Sequence, residues 1–198
     1  MTNGSGDDVV GNFSEMGSRK HPPHRYENRL WKAGYAWTSF HYVNDICDYI
    51  LSEQIQPQAT IYYPLVTASC VLYGRPFKRS RGIESLTLQF VPKKFRFLHK
   101  QLILLRDQTL AHVDARSALF QGLPANNVRL IVRDREVRLG VQELKFKVTT
   151  ISEIRELANA LVKRMLEYSN KLGSQYPNDV PDDGEYLIDL TTGTFRPL

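Results

Sequence analysis

The chain has 198 residues, 42% of them hydrophobic and 24% charged, which is enough to bury one core in a single domain with tails. It holds no run of eighteen apolar residues, and its start, MTNGSGDDVVGNF, has neither a basic n-region nor an apolar h-region; the expectation is a cytoplasmic protein with no membrane contact. The formal charge of +5 is concentrated: nine basic residues from Arg75 to Arg106 stand against one acid, Glu84, a local +8 that suits an anionic partner, nucleic acid first.

Residues 1–25, rich in Gly, Ser, Asn and Asp and ending in KHPPHR, show no periodicity and read as a flexible arm. His21 and His24 lack the neighbours a metal site needs, and no cofactor or metal is expected anywhere. A long helix is predicted from Leu30 to about Gln54, with Ala36, Phe40, Val43, Cys47 and Ile50 on its apolar stripe and Trp37, Ile46 and Leu51 widening it. Tyr35, Tyr42 and Tyr49 recur at seven-residue spacing as the edge of that face, with base stacking the lesser alternative.

Ala59 to Tyr73 reads as a second helix in which Pro64 is tolerable only in the first turn. Cys47 and Cys70 both fall inside apolar helical patterns, as reduced core residues do. The following segment, GRPFKRSRGIESL, is broken by Gly74, Pro76 and Gly82 and carries Arg75, Lys78, Arg79 and Arg81, the candidates for phosphate contact. Lys93, Lys94, Arg96 and Lys100 extend this basic run.

Pro92 starts a third helix predicted to reach His112. Phe95, Leu98, Leu102, Leu105, Thr109 and His112 share one stripe of it, with Arg106 beside the stripe. His99 lies seven positions before Arg106, on nearly the same line, and reads either as an auxiliary phosphate binder or as a half-buried structural histidine. Val128, Leu130 and Val132 alternate, as do Val137, Leu139 and Val141 after the connection RDRE, which predicts a hairpin within residues 127–148. The last helix is expected to begin at Ser152, with Glu153 and Glu156 in its first turn, and to end near Lys171 and Gly173. In the tail, EYLIDLTTGTF offers further short strands over 185–196 that would join the hairpin. The sum is a mainly α fold: an arm (1–25), a bundle of four principal helices with an inserted hairpin (26–175), and a tail (176–198).

Signatures such as a Gly-rich phosphate loop, HExxH, CxxC or GxSxG are missing from the sequence. What remains is Arg106-Asp107-Gln108-Thr109-Leu110-Ala111-His112, an arginine and, after five residues, a histidine closing an apolar helix. With a polar residue directly after the arginine and Ala111-His112-x-Asp114 at the end, this string resembles the signature of the HEPN superfamily of helical nucleotide-binding domains. The resemblance spans the helical part, roughly residues 30–172, while the hairpin departs from a simple bundle.

The resemblance implies a metal-independent endoribonuclease of toxin or defence type, working as a homodimer whose motif helices face each other and coming with an antitoxin-like partner. In that scheme His112 exchanges protons with ribose and leaving-group oxygens near neutral pH, Arg106 stabilises the phosphorane, and Asp107 orients it. On a straight helix six residues rotate about 240°, so Arg106 and His112 stand about 120° apart and meet only across a dimer or at a kink. A catalytically silent nucleic-acid or nucleotide-binding module is the second reading, and a protein that only dimerises through the apolar helix is the third.

Overall fold

The computed structural model describes residues 25–79, 85–107, 119–120, 123–124, 128–133, 135–141, 145–174, 184–189 and 195–198. The arm, Arg81, Thr109, His112, Asp114 and most of the loop after it lie outside the described residues. Four α-helices make up the body: α1 (Arg25–Ser52), α2 (Tyr62–Gly74), α3 (Arg96–Leu105) and α4 (Val148–Gly173).

Helix α1 is 28 residues long and packs along α4 and α2, because its stripe repeats the apolar spacing without a break. Ala36, Phe40, Val43 and Cys47 are fully buried and Ile50 nearly so. From α4, Ile151, Ile154, Leu157, Ala158, Leu161 and Met165 face them. Each of the larger side chains, fully buried, contributes roughly 1.5–3 kcal/mol. An ion pair from Arg155 to Asp48 at 3.1 Å bridges the two long helices at their rim.

Pro64 is the third residue of α2, where its missing N–H costs no intrahelical bond. Cys47 and Cys70 are free and buried, and burial pushes both thiols up to about 12, so they behave as small apolar groups at neutral pH. The third helix opens with a tight 3-10 turn, Lys93–Phe95, after Pro92 and becomes α-helical only at Arg96. Phe95, Leu98, Leu102 and Leu105 are buried along it as the spacing predicts.

Two expectations need correction. Helix α4 starts at Val148, four residues before Ser152, and Ser152 is no cap: its hydroxyl turns back to the Val148 carbonyl at 3.2 Å. The physical reason is burial upstream. Phe146 is buried and its carbonyl accepts the Tyr62 hydroxyl at 2.8 Å, so the chain is anchored before the turn, and extended Lys147 opens the helix with its carbonyl. The tail strands also do not join the hairpin.

Three separate two-stranded antiparallel sheets are present among the described residues. Strands β1 (Leu119–Phe120) and β2 (Leu123–Pro124) pair, then β3 (Val128–Arg133) with β4 (Glu136–Val141), then β5 (Tyr186–Ile188) with β6 (Phe195–Pro197). Strand β5 finds β6 across a short connection because closing a small loop costs little entropy. In the main hairpin Leu130 pairs with Leu139 and Val132 with Val137, and Arg135 takes φ 67° in the turn. Leu130, Val132 and Val137 of this hairpin remain about 60% exposed. Among the described residues no helix is long and apolar enough to cross a membrane.

Candidate nucleic-acid interface

Helix α3 closes at Leu105, where the Arg106 N–H still reaches the Leu102 and Ile103 carbonyls in α- and 3-10-type bonds, and Arg106 and Asp107 then continue in a wider π-type turn. Such a turn advances the chain by a different angle from an α-turn. Residues 108–112 lie outside the described residues, and with them the rotation between Arg106 and His112.

Arg106 runs back across the end of α2. A Cβ built on Gly74 would lie 2.8 Å from its Cδ and 3.2 Å from its Cγ, so only glycine admits the side chain in this course. The guanidinium donates from Nη1 to Asp107 Oδ1 at 2.8 Å, while Nε is enclosed without a partner among the described residues. Arg106 also falls half a turn, about 180°, from the exposed Phe97 and Leu104 on the outer line of α3.

The other Asp107 oxygen, Oδ2, accepts a hydrogen bond from Lys78 Nζ. Lys78 follows the 3-10 turn Arg75–Phe77 that extends α2. Burial pushes the Asp107 carboxyl up, but the hydrogen bonds and charges of Lys78 and Arg106 outweigh it and hold it below its ordinary range. Asp107 is thus a fixed anion clasped by two cations from different segments. Two basic groups meet the one carboxylate, and Arg75 and Arg79, exposed and adjoining Lys78 in the chain, add to the positive charge of the segment.

The basic run is therefore two patches rather than one. Lys78 and Arg106 meet at the C-terminal end of α3, with Arg75 and Arg79 adjoining Lys78 in the chain. Lys93 and Lys94 stand at its start, about 18 Å away along the axis at 1.5 Å per residue. There Lys94 leans toward Glu156 of α4 at 3.5 Å. Lys100 is exposed midway, and Arg96 is half-buried with its Nε enclosed and unpartnered among the described residues.

His99 is not an outward phosphate ligand. It is buried, its Nδ1 shares a 2.7 Å hydrogen bond with the Tyr73 hydroxyl, and Phe77 meets its ring edge-on at 4.5 Å between centroids. Burial, with a smaller push from Lys100, lowers its pKa to about 4, so it carries no charge at neutral pH. The structural alternative for this residue is the one the geometry favours.

Sequence reasoning passed over two participants, Gly74 and Trp31, and read Tyr35 only as part of a tyrosine stripe. Gly74 read only as a helix breaker, although its position beside the basic residues is what seats Arg106. Trp31 and Tyr35 form a flat stack on α1, centroids 4.9 Å apart and planes 7° from parallel, with the Arg75 guanidinium 5.5 Å over the Tyr35 ring. Their i, i+4 spacing is visible in the sequence, but the partner arginine, forty residues on, is not.

No protein-family model, curated protein or solved structure matches this chain.

Proposed function

We propose that the chain is a HEPN-type endoribonuclease that cleaves RNA without a metal ion, in a toxin or defence role. The observation that carries the reading is the convergence of Lys78 and Arg106 on Asp107. It joins the basic segment to the arginine of the motif, which supports reading the phosphate-attracting residues and the motif as one site. Arg106 and Lys78 draw the scissile phosphate, and Asp107 holds both cations in register. The ribose 2′-oxygen attacks phosphorus and the bond to the 5′-oxygen breaks, giving a 2′,3′-cyclic phosphate and a free 5′-hydroxyl. His112 carries the proton between the two oxygens. A homodimer brings a second His112 into the same cleft, and an antitoxin-like partner would cover it.

The decisive experiment is cleavage of single-stranded RNA in EDTA. Cyclic phosphate ends, lost in His112→Ala and in Arg106→Ala without loss of the folded state, support the reading; cleavage that persists in His112→Ala overturns it. One observation favours a second reading, a silent binding module: Asp107 is already neutralised by its two cations, and such a cluster needs no histidine to hold a phosphate. In that case RNA affinity survives His112→Ala, falls steeply with salt, and is lost on neutralising Lys78 and Arg79.

A further inference from the structure

The segment 74–78 makes three contacts with different consequences. Gly74 seats Arg106, Lys78 bonds Asp107, and between them Arg75 lies over Tyr35, which is stacked on Trp31. One 3-10 turn, about 6 Å of axial rise, separates Arg75 from Lys78. Lys32, next to Trp31, donates to the Ser85 carbonyl at 2.6 Å and ties the same stretch of α1 to the far end of the basic segment. The cationic cluster therefore borders directly on an aromatic ladder, and that ladder is not closed off: Trp31 keeps 38% of its surface exposed, and Arg75 is exposed too.

A flat indole on a surface, stacked on a tyrosine that itself carries a guanidinium over its ring, offers a π-face and, one ring away, a positive charge to a planar group attached to a phosphate. A nucleobase in a single strand meets both demands. A base in a duplex does not, because its faces are taken by its neighbours. An acidic peptide would match the charge but would leave the indole face unused.

We infer that Trp31, Tyr35 and Arg75 form a base-stacking subsite, so that the site at Arg106 takes single-stranded RNA with one unpaired base docked on Trp31 beside the phosphate held by Lys78 and Arg106. This rests on the RNA reading above and adds an aromatic subsite and the position of the base.

The test uses the full chain carrying His112→Ala, which keeps the RNA intact, and a labelled ten-nucleotide single strand, the same strand in a duplex, and inorganic polyphosphate as a polyanion without bases. Trp31→Ala is expected to weaken single-strand binding roughly 5- to 150-fold, the loss of one stacked base. Trp31→Phe, which keeps a ring, should lose less, and polyphosphate binding should not change. The chain has two tryptophans, so in Trp37→Phe the remaining tryptophan emission, excited beyond the tyrosine band, comes from Trp31 and is expected to be quenched by the single strand. Duplex binding as tight as single-strand binding overturns the inference, as does equal loss on RNA and polyphosphate. Binding that depends on Lys78 and Arg106 but ignores Trp31 removes the subsite alone. Absence of RNA binding in the parent chain removes the RNA reading with it.

Discussion

Gly74 lies directly under the side chain of Arg106, and a single added carbon there would meet Arg106 Cδ at 2.8 Å. Gly74 itself has helical angles, φ −77° and ψ −22°, which alanine adopts freely. Gly74→Ala should therefore gain up to about 1 kcal/mol of backbone preference and lose a comparable amount to the displaced arginine. The expected result is a thermal midpoint within a few degrees of the parent and a large fall in RNA cleavage. A variant that is unaltered in both would show that the course of Arg106 over Gly74 is unimportant to the site.

Asp107→Asn separates orientation from attraction. The three side chains are between 21% and 40% exposed, so losing their ion pairs should cost about 1 kcal/mol or less of stability. Positive charge at the site rises, so the RNA concentration for half-maximal rate should not increase, while turnover falls because neither cation is held in place. The carboxyl is held below its ordinary 3.8, so its stabilising contribution is present above that value and is lost as the pH falls below it. The difference in melting temperature between parent and variant should accordingly vanish at the acid end.

The Tyr73–His99 pair predicts a different pH window. The folded state lowers the His99 pKa to about 4 from 6.5, so the unfolded chain takes up the proton first. The penalty is absent above 6.5, grows as the pH falls toward 4, and amounts to about 3 kcal/mol at most. His99→Gln should flatten the stability curve between those limits. Tyr73→Phe, which leaves the buried Nδ1 without its partner, should cost about 1–3 kcal/mol at neutral pH. A parent curve that stays level from pH 6.5 to 4 would contradict the buried, uncharged imidazole.

Much of the bundle was legible because burial imposes a period. Phe40, Val43, Cys47, Leu98 and Leu102 could be placed from spacing alone, and all are buried. The start of α4 was not legible, since Ser152 and Glu153 imitate a cap while the real anchor is buried Phe146, whose bond to Tyr62 spans 84 residues. The site was half legible. Arg106, Asp107 and Lys78 each stood out by charge, but that two of them clasp the third depends on α2 and α3 lying side by side. Glycine has no side chain to advertise a contact, so Gly74 signalled only a break in the helix.

The two ends of α3 supply the last prediction. If the phosphate site is the cluster around Asp107, neutralising Lys78 should weaken RNA binding and reduce the slope of affinity against salt by about one counterion. Lys94 carries the same charge but stands about 18 Å away along the helix axis and faces Glu156. Lys94→Gln should change affinity less than twofold and stability by less than about 0.5 kcal/mol. Binding isotherms at several salt concentrations distinguish the cases. Equal losses from both variants would mean that RNA tracks the whole length of α3, and the convergence on Asp107 would then be one contact among many rather than the centre of the site.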